Sequence, residues 1–181
     1  MKLAVKEFSR EEMMRRVARF QNLVGSPGGL PDSYIPGCYR TLFNVIGFQP
    51  PEGSDTVSPV GADASAAPAI AISEGFNLGF VKTKPRNGPL MHNHDTNETF
   101  MPITGRWRCE WSEEKTEFVD LDPLDVISFP PGVARRFINV TQGEDDKEHI
   151  MLFVIAGNAP AAEFTPKAME IIEAESTSTK S

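Results

Sequence analysis

The sequence predicts an all-β fold, an antiparallel barrel or sandwich flanked by short helices at its N- and C-termini. Three observations carry this. Short runs rich in aromatic and β-branched residues recur from about residue 39 to residue 157, each closed by a Gly or Pro breaker. The stretches between them are too short to hold the crossover helices that a parallel sheet requires. The 15 Pro and 14 Gly spread through 181 residues favour many short strands over long helices.

Taken in order, residues 10–23 read as a helix. Ser9 and Glu12 form a capping box, Phe8 with Met13 supplies a hydrophobic staple, and Met13, Val17 and Phe20 give one apolar face. That face is expected to pack on the domain or on a second subunit. Arg15, Arg16 and Arg19, beside Glu11 and Glu12, read as its solvated side. Residues 25–37 are rich in Gly and Pro and irregular, and 39–48 form the first strand. Residues 49–68, from Gln49 to Pro68, are a long Pro/Gly/Ala/Ser loop, either a lid over a site or a passive excursion. Strands are then expected at 69–73, 76–83, 90–94, 98–103, 106–111, 116–121, 126–129, 136–140 and 148–155. Thr165 caps a short C-terminal helix that begins at Pro166, and 175–181 form a polar, disordered tail. The chain thus divides into an N-terminal helix and extension (1–38), a barrel (39–158), and a C-terminal helix and tail (159–181).

A net charge of −7 with scattered arginines argues against a nucleic-acid partner. No run is long and apolar enough for a membrane span, and the N-terminus becomes charged before a signal-peptide core develops. The two cysteines, Cys38 and Cys109, lack any paired spacing, which suits a reducing compartment; a cytoplasmic location is expected. No phosphate-binding glycine loop, dinucleotide fingerprint or Ser/His/Asp order is present.

The chemistry concentrates in residues 88–105. On a strand, residues two apart share a face, so His92 and His94 project together. A turn at Asp95, Thr96 and Asn97 can bring Glu98 beside them on the neighbouring strand. Two imidazoles and one carboxylate on a facial edge are the ligand set of non-haem Fe(II); Mn, Ni or Zn can occupy the same set.

His92, His94, Glu98 and Gly105 fall on the motif H-x-H-x(3)-E-x(6)-G, and this segment resembles the first motif of the cupin superfamily. Pro130, Gly132 and Asn139 fall on the second, P-x-G-x(2)-H-x(3)-N. Arg86 and Leu124 stand where these motifs usually open with glycine, and Arg135 stands where the second carries its histidine. The resemblance implies a cupin-type antiparallel β-barrel (a double-stranded β-helix, or jelly roll), often homodimeric, with its site in the interior. It implies a divalent metal on His92, His94 and Glu98, with Fe(II) favoured.

Arg135 admits two accounts. In one it clamps the carboxylate of a small acid close to the metal, in a catalytic role. In the other it pairs with Glu98 and replaces the metal. Phe100, Phe137 and Asn139, as same-face neighbours, are expected to wall the substrate pocket, with Met91, Trp107, Trp111 and Phe153 as further candidates. His149 reads as an ordinary strand histidine rather than a fourth ligand. The expected function is that of a metal-dependent enzyme acting on a small organic acid, dioxygenase-like first, with lyase, decarboxylase or isomerase chemistry next. The alternative from another class is a metal-free module that binds or senses a small ligand.

Overall fold

Ten strands pack as two five-stranded antiparallel sheets among the described residues, which are 3–49, 57–65 and 68–178 of a computed structural model. Numbered in chain order, the first sheet runs β1 (Thr41–Ile46), β2 (Phe76–Thr83), β9 (His149–Ala156), β4 (Glu98–Pro102), β7 (Ile127–Phe129). The second runs β10 (Ala162–Phe164), β3 (His92–His94), β8 (Arg135–Asn139), β5 (Trp107–Trp111), β6 (Glu117–Leu121).

Alternation does the folding here. Every second residue of β2, β4, β8 and β9 is buried, the two-residue period of a pleat with one face inward. Phe100 from β4 meets Phe137 from β8 with ring centroids 5.3 Å apart, and Trp107 meets Phe137 at 5.8 Å. This aromatic layer fills the middle of the barrel. His92, His94, Glu98 and Arg135 lie to one side of it along the strands, and Asn139 and His149 to the other.

Four expectations change. The stretch 69–73 makes only an isolated bridge, Ile70 to Ile46. Its backbone bonds Val45, which lies at the irregularity in β1, and Gly47 just beyond the strand, so no continuous ladder forms. The predicted helix 10–23 breaks into α1 (Arg10–Met14) and one 3-10 turn at Phe20–Asn22. The Ser9/Glu12 capping box forms, but Met13 and Val17 stay 49% and 44% exposed. A short helix without a packed face does not propagate. Phe20 instead seats its ring against Phe43 and Phe80 of the first sheet, at 5.4 and 5.5 Å.

At the other end, segment 159–181 opens with a strand that sequence reading missed, β10, paired to β3. Three residues are too few to display a period. The following helix, α3 (Pro166–Ser178), takes in most of the supposed polar tail; residues 179–181 lie outside the described ones. Thr165 caps α3, and Ile172 anchors it in a small core with Ile35 and Cys38. Of the loop 49–68, residues 50–56 and 66–67 lie outside the described ones. The rest is tied down: Val57 bridges to Ala162, Val60 is fully buried, and α2 spans Gly61–Ser65. Among the described residues no helix is long and apolar enough to cross a membrane.

Arg86 and Leu124, which stand in place of motif glycines, both adopt the left-handed backbone, with φ of 66° and 77°. The turns survive the loss of glycine at a steric cost. Since Leu124 is 71% exposed and loses little packing, Leu124→Gly is expected to stabilise the fold by about 1 kcal/mol, read as a higher urea midpoint at unchanged m-value. Gly105 is kept for a different reason: at φ 74°, a Cβ there would meet the His149 ring at 2.5 Å.

Candidate metal centre

Both histidines of β3 face inward, and His92 stands opposite Arg135 in the β3–β8 register. The sequence places Glu98 on a strand paired with β3, and the structure corrects this. The turn at 95–97 crosses from the second sheet to the first, where β4 pairs with β9 and β7. Asn97 donates to the Phe129 carbonyl (3.0 Å), and Asp95 accepts from the Ala161 amide (2.9 Å), fixing the crossing. Glu98 therefore reaches the histidines from the facing sheet. One ligand atom from each of His92, His94 and Glu98 lies within 4.8 Å of the others.

The imidazole tautomers follow from their partners. His92 Nδ1 lies 2.9 Å from the Leu90 carbonyl, and His94 Nδ1 lies 2.9 Å from the Ala161 carbonyl. A carbonyl only accepts, so each Nδ1 carries the proton and each Nε2 of a neutral ring presents a lone pair. His94 Nε2 stands 3.3 Å from Glu98 Oε2. Two acceptors at that distance repel unless a cation, either a proton or a metal ion, lies between them.

Burial pushes the His92 imidazole down to about 4, and His94 beside it acts in the same direction. Burial alone would raise the Glu98 carboxyl. The charge and hydrogen bond of His94, with the charges of Arg135 and His92, override it and hold Glu98 at about 2. His92 and Glu98 are already in the protonation states that metal ligation needs, whereas His94 would exchange the proton it shares with Glu98 for the ion. The donor set fits a divalent transition metal.

Arg135 is not where a substrate clamp must be. It is fully buried and does not line the cavity that the two histidines and Glu98 share. Its Nε donates to Glu98 Oε2 (3.1 Å) and its Nη1 to the Val133 carbonyl (2.8 Å), while Nη2 has no partner. The contact formed is the pairing with Glu98 that the second account of Arg135 expected, and it holds Glu98 from behind instead of clamping a substrate carboxylate.

The cavity is narrow. Its open interior is only about 40 Å³, room for a few waters or a small ligand. Of the predicted pocket residues, Phe137 lines it, as does Phe153. Phe100 sits one layer deeper, in the aromatic core, and Asn139 is spent on structure, donating to the Thr83 carbonyl (2.9 Å). Met91, Trp107 and Trp111 are not lining residues. His149 is buried beyond the core, its Nε2 3.1 Å from a Glu144 carboxylate oxygen.

Sequence reading missed Leu30, Arg40, Val57 and Phe164, all of which line the cavity. They come from the N-terminal extension, the residue just before β1, the long loop and β10.

No family model matches the sequence, and no curated protein does. Solved structures do resemble the fold. Vicilin from hazelnut, Corylus avellana, aligns with a TM-score of 0.51 at 11% identity, covering 81% of this chain and 36% of that one. An oxalate oxidase aligns with a TM-score of 0.45 at 18% identity, covering 51% of this chain and 47% of that one. A cupin superfamily protein from Desulfitobacterium hafniense gives a TM-score of 0.40 at 13% identity, covering 48% and 72%. The chain thus spans about a third to a half of the length of the first two. At such identities the likeness is one of fold.

Proposed function

We propose that this chain, which has the cupin jelly-roll fold of its structural neighbours, holds a divalent metal ion on His92, His94 and Glu98 and acts on a small organic acid. The observation that carries the reading is the apposition of His94 Nε2 and Glu98 Oε2 with both Nδ1 atoms already committed to carbonyls. That arrangement calls for a cation, which a proton supplies in the metal-free protein, and the convergence of the three ligand atoms within 4.8 Å suits a metal ion in its place. When bound, a divalent ion supplies Lewis acidity and open coordination positions, and with Fe(II) the leading reaction class is dioxygenase-like.

The chain's own residues do the rest. The Leu90 and Ala161 carbonyls lock the ring orientations. Arg135 keeps Glu98 ionised and fixed in place without entering the cavity. Phe137, Phe153 and Phe164 give the cavity apolar walls that limit water around the reacting atoms.

The test is metal uptake. Metal-free protein, equilibrated without oxygen against Fe(II), Mn(II), Ni(II) and Zn(II) separately, should retain about one ion per chain of at least one metal by elemental analysis. The His92→Ala/His94→Ala double variant, still folded by circular dichroism, should retain less than a tenth of that. Folded wild-type protein that takes up none of the four defeats the reading and favours a metal-free small-ligand module. Oxygen consumption across a panel of small acids then separates a dioxygenase from a lyase.

A further inference from the structure

We propose that Arg40, a residue outside both sequence motifs, recognises the carboxylate of the ligand and so determines the specificity of this site. The inference rests on the cavity just described and names the group that reads its occupant.

Arg40 immediately precedes β1 and lines the same cavity as His92, His94 and Glu98. Its side chain is 4% exposed, an unusual place for a guanidinium without a purpose. It is also held. Nη2 donates to Asp32 Oδ1 at 2.7 Å and Nη1 to the Cys38 carbonyl at 2.8 Å. A guanidinium has five N–H donors, so these bonds orient the fork and leave donors to spare.

Asp32, fully buried, ties that fork to the proposed metal ligands. Its Oδ2 accepts the Leu90 amide at 3.0 Å, and the Leu90 carbonyl is the group that orients His92. One peptide residue thus couples the anion-reading side chain to an imidazole. Charge points the same way. Glu98 and Asp32 offset only half of the positive charge that Arg40, Arg135 and a divalent ion would bring, and the other acidic lining residue, Glu163, is exposed. A small carboxylate that reaches Arg40 meets the spare donors and offsets part of the remaining positive charge. Arg135, screened behind Glu98, cannot make that contact.

The experiment is calorimetric titration of acetate, propionate and benzoate, each beside its neutral amide, into metal-free and Co(II)-loaded protein. Wild type should bind at least one carboxylate more tightly than its amide. In Arg40→Gln/Asp32→Asn, which removes both charges and keeps an acceptor for Leu90, that carboxylate should bind at least about tenfold more weakly. Amide binding and cobalt content should stay unchanged. Undiminished carboxylate binding in the variant, or no preference for carboxylate in wild type, overturns the proposal. Should the double variant misfold, Arg40→Lys keeps the charge without the fork. Carboxylate binding reduced in it supports the assignment, and wild-type affinity rejects it. If wild type takes up no cobalt the metal reading fails by itself, and the metal-free titration still decides Arg40.

Discussion

Substituting Arg135 separates stability from metal affinity. Arg135→Met should cost the metal-free protein about 3–5 kcal/mol of unfolding free energy, because Arg135 is fully buried and Glu98 would be left as an ionised carboxylate with only His94 to balance it. Adding Glu98→Gln should restore most of the loss, since a buried pair removed together leaves no orphan charge. Arg135→His goes further: it removes a cationic neighbour of the proposed ligands and places a third imidazole beside Glu98. Its affinity for Zn(II) or Ni(II), measured by competition with a chelator, should rise by roughly two orders of magnitude, as a like charge removed at a partly buried site is worth several kcal/mol. If Arg135→Met unfolds at the same denaturant concentration as wild type without metal, the Glu98 pair is not what the distances imply.

Acid should unfold the metal-free protein in a range set by two buried groups. The folded pKa of His92 is about 4 against an ordinary 6.5, and that of Glu98 about 2 against 4.5. Both are depressed, so between the unfolded and folded values the unfolded chain binds a proton that the folded chain refuses. The stability each contributes is complete above its unfolded pKa and lost as pH falls through its folded one. His92 accounts for the fall between about pH 6.5 and 4, and Glu98 for the fall between about 4.5 and 2. Each is worth on the order of 3 kcal/mol. Urea midpoints measured from pH 7.5 to 3 should decline, and His92→Gln should flatten the upper part of the decline. A wild-type midpoint that holds steady from pH 6.5 to 4.5 would mean that His92 is charged when buried.

What could be read in advance, and what could not, divides along a physical line. The period-two pattern of β4 and β8 is local to each strand, so these strands and their inward residues were legible, whereas β9 is apolar on both faces and its inward side, His149 included, was not. For the same reason His92 and His94 could be placed on one face and Glu98 close after them. The N-terminal helix failed because a capping box specifies a start, while its length depends on a packing face that Phe20 found elsewhere.

By itself, then, the sequence determined the all-β class, most of the strands and the identity of three converging polar side chains. Tertiary structure alone decided that Glu98 arrives from the opposite sheet, that Arg135 pairs with it from behind, and that Arg40, not Arg135, faces the cavity. Residue spacing encodes which side of a strand a group occupies. Which groups meet is set by register between strands distant in the chain, and by short pieces such as β10 that acquire their shape only from the partner they pair with.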